Sequence, residues 1–388
     1  MKKLRKFSLT LGLFLICGCA NYPPIPAGSA MVNREAKIMN YLETLVAQDK
    51  FPGIQYLVVD KDKVLFSYAG GWAVKGAAPM TMESPMMYYS ATKILTAAAM
   101  LRLVGQGKLN LDDRLERTLP DTPYRGVTLR QVLSHTAGIP NPMLGNMYVH
   151  RDDQHASFDR KRLLAEALNK NGKLQSQPGQ QFAYSNLGFA LLGEVIEITS
   201  GLEYEAYLQQ EIFQPLGIAP HEMNFTFEAF ATGSKGYVER FSLMNLAMGF
   251  MLKEFTPEKA GRWKTFKEHW YFNFPAHGGV IGTASGWAKF LQDQLRADTT
   301  LFPAREKEQF YQLQHPAATG RHSTDVALAW FYNGRGAAPY YFHEGGAFGY
   351  VTEVRLYPRQ GIASVLLVNT TTMPHKPLMD EVDGLFLR

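Results

Sequence analysis

Ser90 and Lys93 stand three residues apart at the head of an apolar run: Ile94, Leu95, Ala97, Ala98, Met100, Leu101, Leu103 and Val104. The run ends at Gly105 and Gly107. It reads as a buried helix, and on a helix positions i and i+3 share a face, so the hydroxyl and the amine can meet. A serine hydroxyl is a weak nucleophile until a base takes its proton, and a lysine half-buried among apolar neighbours can be neutral enough to help. A helix beginning near Ser90 also aims its first amides at whatever the hydroxyl attacks. By itself Ser-x-x-Lys is a common accident. Two later segments change its weight.

The first is Pro178-Gly179-Gln180-Gln181-Phe182-Ala183-Tyr184-Ser185-Asn186, a turn entering a strongly apolar helix over Leu187 to Thr199. A phenol beside an ammonium is expected to have a lowered pKa, so Tyr184 could serve as base toward Ser90 and later as acid toward the leaving group. Asn186 could donate to substrate and to Lys93. Taken alone, the same residues make an ordinary helix cap. The second segment is Tyr341-Phe342-His343-Glu344-Gly345-Gly346-Ala347-Phe348-Gly349. A strand without side chains at Gly345 and Gly346 lets another molecule approach its backbone, and the amide of Gly346 with that of Ser90 could form an oxyanion hole. His135 reads as structural in the turn before Gly138, and Asp112-Asp113 as loop-structuring, since adjacent side chains diverge. There is no Gly-x-Ser-x-Gly elbow, no histidine pair at zinc spacing around His221 or His343, and no phosphate-cradling loop.

β-rich runs lie early and late in the chain. Ile54 to Val59 and Val64 to Tyr68 flank Asp60-Lys61-Asp62-Lys63 as a hairpin; Val326 to Tyr332, Tyr340 to His343, Tyr350 to Tyr357 and Ile362 to Val368 follow near the end. Amphipathic helices are expected over Glu35 to Gln48 and Leu378 to Leu387. Between Lys108 and Leu216 the signals are mainly helical, with a capping box at Thr128-Leu129-Arg130-Gln131, a cap at Ser157, and later a cap at Ser285. The simplest packing is a mixed sheet assembled from both ends of the chain (33–80 and 276–388), flanked by terminal helices, with a mainly helical region (81–275) inserted. Its junction is a natural cleft. The apolar stretch Phe241 to Leu252 is too short to span a bilayer and reads as a core helix or a flap over the cleft, with an acyl-binding or membrane-facing surface as the functional alternative.

The first 18 residues read as an export signal: Lys2, Lys3, Arg5 and Lys6, then a short apolar run from Phe7 to Gly18. Leu15-Ile16-Cys17-Gly18-Cys19 resembles a bacterial lipobox, which implies lipidation of Cys19, and Ala20 after it implies sorting to an outer membrane. Residues 19–32 then form a Pro-rich tether facing the periplasm. Removing the signal takes four of the 40 basic residues, leaving 36 against 35 acidic ones, so the basic balance does not argue for nucleic acid. One cysteine would remain, hence no internal disulfide.

Together, Ser90/Lys93, Tyr184/Asn186 and His343/Gly345 resemble the β-lactamase and penicillin-binding-protein superfamily of serine hydrolases, in the class C-like branch, whose pattern is Ser-x-x-Lys, Tyr-x-Asn, Lys/His-x-Gly. Leu133 to Pro140, Gly188 to Gly193 and Gly278 to Ser285 support the likeness, which runs from about Asn33 to the end. The resemblance implies a mixed α/β (α+β) fold with a mainly antiparallel sheet. It implies a covalent acyl-enzyme on Ser90, formed without metal or organic cofactor on a small-molecule or peptide substrate that Asn186, His343 and Gly345 bind. His343 stands where true class C β-lactamases usually carry lysine, and Glu344 where a hydroxyl residue commonly helps hold a substrate carboxylate. A glutamate in the cleft would repel such a carboxylate. The expectation is therefore hydrolysis of a neutral or amine-bearing ester or amide ahead of β-lactams or D-alanyl-D-alanine peptides. The reading from another class is a catalytically weak cell-envelope binding protein using the same cleft.

Overall fold

The computed structural model describes residues 22–25, 33–142, 149–151, 159–242, 258–266, 270–314, 325–371 and 373–387. Helix α1 (Arg34–Ala47) is capped by Asn33, whose side chain accepts from the Glu35 amide, and turns Ile38, Tyr41, Leu42 and Leu45 inward. Strands β1 (Gly53–Asp60) and β2 (Val64–Val74) form the expected hairpin, with the Asp60 carboxylate accepting from the amides of Asp62 and Lys63. β2 runs further than the β-rich residues foretold, through Gly70 and Gly71, and pairs with β3 (Ala78–Pro79). Gly71 has φ +81°, and a Cβ there would lie 2.3 Å from the Pro52 carbonyl, so two backbones cross just beyond the run expected as a strand.

The helical middle contains α2 (Thr92–Gly105), α3 (Leu129–Leu133), α4 (Arg160–Lys170) and α5 (Asn186–Ser200); α6 (Ala284–Leu295) follows it and packs on the sheet. The capping box at Thr128 and Gln131 is formed as expected. Two other caps differ. α4 starts after Asp159, whose carboxylate accepts from the Arg162 amide, and Ser157 lies outside the described residues. α6 is capped by Thr283, two residues before Ser285, because the Thr283 hydroxyl accepts from the Gly286 amide.

β4 (Asp325–Val326), β5 (Phe331–Asn333), β6 (Tyr340–Gly346), β7 (Val351–Tyr357) and β8 (Ile362–Val368) complete an eight-stranded sheet ordered β4-β5-β6-β7-β8-β1-β2-β3. Every pairing in it is antiparallel. The apolar run Val326 to Tyr332, expected as one strand, is split into two by a turn in which Ala329 has φ +60°. The C-terminal helix α7 (His375–Asp383) lies with α1 on one face of the sheet, burying Ile54, Tyr56, Val58, Leu366 and Val368. The other face turns Leu57, Val59, Val354, Val365 and Leu367 toward α2, α5 and α6. Burial on both faces explains why β8 reads as a nearly continuous apolar run without period-two alternation, whereas β7, equally buried, carries Thr352, Glu353 and Arg355 into the interior.

Of the expected tether, residues 22–25 lie against the domain: the Ile25 amide donates to Glu381 on α7 at 3.3 Å. The signal segment and Cys19 lie outside the described residues. So does the apolar stretch after Ser242; Phe241 itself is exposed. No described helix is long and apolar enough to cross a membrane.

Candidate active site

Ser90 sits in a single 3₁₀ turn, Tyr89–Ala91, that feeds directly into α2. Tyr89 holds φ +47°, a conformation costly for a bulky side chain, and three contacts keep it there. Its hydroxyl donates to the Phe348 carbonyl at 2.8 Å, and its ring packs edge-on to Phe272 and beside Tyr350. The strain presents the next residue, Ser90, at the mouth of the helix. α2 is buried almost all round, so Lys93, one turn on, has no route to water and is 0 % exposed.

The Tyr184 loop is set by the turn before it in space. His135, at φ +57°, accepts the Ser185 amide on Nδ1 at 3.1 Å, and its carbonyl accepts the Ala183 amide at 2.7 Å. The imidazole also stacks 4.4 Å from the Tyr184 ring. Its structural role is therefore to hold the phenol in place. Ser185 caps α5, accepting from the Gly188 amide and donating to the Pro140 carbonyl, which leaves Tyr184 and Asn186 on either side of the cap.

These elements bring the three segments together. Tyr184 Oη lies 2.8 Å from Ser90 Oγ, and Lys93 Nζ lies 3.2 Å from the same oxygen. Lys93 also donates to the Asn186 side-chain oxygen at 2.9 Å and to the His277 carbonyl at 2.5 Å. All three partners are uncharged. A neutral amine has two N–H donors and one lone pair; the two carbonyl-type oxygens take the donors and leave the lone pair facing the Ser90 hydroxyl. Burial pushes the Lys93 pKa well below its ordinary value, the direction this geometry requires. Burial pushes the Tyr184 phenol up, only partly opposed by its hydrogen bond to Ser90. The lowered phenol pKa expected from an adjacent ammonium is thus reversed, because desolvation of the buried phenol outweighs what opposes it and lowers the amine's own pKa as well.

β6 lines the opposite side of the cleft. Its pairing with β5 stops at Phe342, so among the described residues His343 to Gly346 pair only with β7 and leave an open edge beside Ser90. Gly345 does not clear space for a ligand. A Cβ there would lie 1.9 Å from the Tyr88 carbonyl and 3.0 Å from the Ser90 amide, so the glycine admits the nucleophile's own turn. Gly346 follows on the same edge. His343 shares the cleft face with Gly345; its Nδ1 is 2.7 Å from the Glu344 carbonyl, and its buried Nε2 has no hydrogen-bond partner. Burial, then the nearby Lys93, push its pKa down to about 3, so the ring is neutral. Glu344 points the other way, to the α7 side of the sheet, where it faces His375. The repulsion expected between Glu344 and a substrate carboxylate therefore does not arise.

Two contributors carry no side-chain signature in the sequence. The His277 carbonyl that receives Lys93 lies in a short 3₁₀ turn, Pro275–His277, and only the Gly278-Gly279 pair beside it pointed there. Asn141, whose side chain accepts the Asn186 amide at 3.0 Å, follows Pro140 with no signal of its own.

An antiparallel sheet fed from both ends of the chain is an arrangement shared with solved structures. D-amino acid amidase from Ochrobactrum anthropi SV3 superposes with a TM-score of 0.75 at 20% identity, over 91% of this chain and 99% of that one, which shows a common fold. The chain belongs to the Beta-lactamase family, whose model matches residues 38–385. Among curated relatives, it is 23% identical to the "Putative D-alanyl-D-alanine carboxypeptidase" of Escherichia coli (strain K12), over 98% of this chain and 93% of the relative. It is 29% identical to "Penicillin-binding protein 4*" of Bacillus subtilis (strain 168), over 48% of this chain and 41% of that protein. The chain thus spans less than half of the latter.

Proposed function

We propose that this protein is a serine hydrolase that cleaves an ester or amide bond through a covalent acyl-enzyme on Ser90. The observation that carries the reading is Ser90 Oγ set 2.8 Å from a phenol and 3.2 Å from a fully buried amine. Lys93, as the neutral amine, takes the Ser90 proton while Oγ attacks the substrate carbonyl. The oxyanion forms against the amides of Ser90 and Gly346. Tyr184, held protonated, donates to the leaving group and recovers its proton by way of Lys93. Water then repeats the sequence on the acyl-enzyme. Asn186, its oxygen committed to Lys93, has its NH₂ left to hold the substrate.

His343 supports a substrate class. A neutral ring donating through Nδ1 keeps a lone pair on Nε2, which suits an N–H or O–H donor on the substrate better than a carboxylate. Neutral or amine-bearing esters and amides are the preferred substrates. β-Lactams and D-alanyl-D-alanine peptides form the second reading, favoured by the outward turn of Glu344 and by the names of the relatives above.

A fluorophosphonate probe applied to the detergent-solubilised full chain is expected to label the wild type and not Ser90→Ala. Absence of labelling in both, with a ligand still binding in the cleft, would instead fit the envelope binding protein. Comparing p-nitrophenyl esters, D-amino-acid amides and nitrocefin then separates the substrate classes; rapid nitrocefin turnover would reverse the preference stated here.

The N-terminus supports a lipid-anchored, periplasm-facing placement at an outer membrane, resting on the lipobox-like Leu15 to Cys19 and on Ala20. Cys19→Ala expressed in a bacterial host is expected to lose incorporation of labelled fatty acid and to leave the membrane fraction.

A further inference from the structure

We propose a zinc-binding site on the rear of the sheet, formed by Glu344, Glu353 and His375 and separate from the Ser90 cleft. Glu344 on β6 and Glu353 on β7 are direct cross-strand partners. Two like charges in that position destabilise a strand pair unless positive charge offsets them; Arg355 meets one oxygen of Glu353, and the side facing Glu344 is open to a cation. His375, at the start of α7, supplies the third corner: its Nε2 lies 3.4 Å from a Glu344 oxygen and 3.4 Å from Glu353 Oε2. Charge-assisted hydrogen bonds are shorter, about 2.7–2.9 Å. Bonds of about 2.0–2.1 Å to a tetrahedral zinc, by contrast, hold ligand atoms about 3.4 Å apart. The ligand atoms of all three residues lie within 4.8 Å of one another.

The surroundings are those of a metal site. His375 Nδ1 is 3.1 Å from the Met373 carbonyl, and donating there leaves the Nε2 lone pair directed at the two carboxylates. Glu353 is 1 % exposed, and its Oε1 is occupied by Arg355 at 2.5 Å, while Oε2 is buried without a hydrogen-bond partner. One oxygen is thus oriented by a neighbour and the other left for an ion. The side chains of Glu344 and His375 are 30% and 17% exposed, which gives the ion an entry path and a water for its fourth position. An imidazole with carboxylates suits zinc better than calcium or magnesium. The site would clamp β6, β7 and α7 behind the strand that carries His343 and Gly345.

The test uses detergent-solubilised full-length protein, stripped with EDTA and dialysed against micromolar zinc. The wild type is expected to retain one zinc per chain by mass spectrometry and to unfold at a higher temperature when zinc is added. His375→Ala is expected to weaken zinc by more than about 100-fold, beyond the range for outer-shell partners, and to lose the zinc-dependent shift. Glu344→Gln, at the solvent side and not expected to compromise folding, should do the same. Cobalt(II) in the wild type should show the visible absorption of a tetrahedral complex, absent from both variants. A wild type that retains no zinc and shows no shift, leaving His375 as a protonated bridge, would overturn the proposal. Equal zinc in wild type and both variants would overturn it as well.

Discussion

Lys93 decides the pH behaviour at the residue scale. Its amine must be neutral to accept the Ser90 proton, and burial lowers its pKa, so kcat/KM is expected to rise with pH through that lowered value and level off above it. Lys93→Arg, always charged, should lose at least about 100-fold in kcat with no recovery at alkaline pH. Stability follows the same sign. Between the lowered folded pKa and the unfolded value of about 10.4 only the unfolded chain binds the proton, so stability rises with pH across that window, and the rise should shrink in Lys93→Met. Tyr184→Phe keeps the ring against His135 but removes the proton donor. A drop of about 10²–10⁴ in kcat is expected, with the protein still folded by circular dichroism; an unchanged kcat would remove Tyr184 from the reaction. Ser90, Lys93, Tyr184 and Asn186 were legible because each spacing is local to one turn of helix or one cap. The direction of the Tyr184 shift was not, since it depends on how much water the surrounding helices exclude. The His277 carbonyl was silent because a backbone oxygen has no letter in a sequence.

Elements matter through close approach. Gly345→Ala would place a methyl 1.9 Å from the Tyr88 carbonyl, and backbone on both sides prevents a side chain from simply swinging away. The turn holding Ser90 must shift, so the variant is expected to lose most probe labelling and about 1–3 kcal/mol of stability. Gly346→Ala is the matched control: its Cβ would meet Val351 at 3.6 Å, ordinary contact, and its amide is retained. Thermal melts and labelling of the pair separate packing from chemistry; equal losses in both would contradict the packing role of Gly345. Here the sequence named the right residue with the wrong reason. A glycine's letter says that a side chain is forbidden but not which neighbour forbids it. The same limit explains the caps: Thr128 with Gln131 is specified twice over by reciprocal bonds, whereas Ser285 lost to Thr283 because either hydroxyl suits the position and only the backbone path chooses.

The whole molecule is held by a sheet whose strands come from residues 53–79 and 325–368, and that much followed from the distribution of apolar runs. What did not follow is the ionic layer between the sheet and α7, since its members are scattered and register alone places them on one face. Arg355 is fully buried there, 2.5 Å from Glu353, 2.7 Å from Asp380 and 3.6 Å from Asp383. Asp383 in turn accepts from Tyr56 at 2.6 Å and from Tyr357 and Ser364 at 2.8 Å each, joining β1, β7 and β8 to one helix. Arg355→Met fills a similar volume but strands two buried carboxylates, so it is expected to cost about 3–5 kcal/mol and to lower the unfolding midpoint by several degrees. Pairing it with Asp383→Asn removes one stranded charge, its amide oxygen still accepting from Tyr357 and Ser364 while its NH₂ donates to the Tyr56 hydroxyl, so the double variant should recover part of that loss despite carrying one more substitution. A double variant less stable than Arg355→Met would mean that shape, and not charge balance, holds α7 on the sheet.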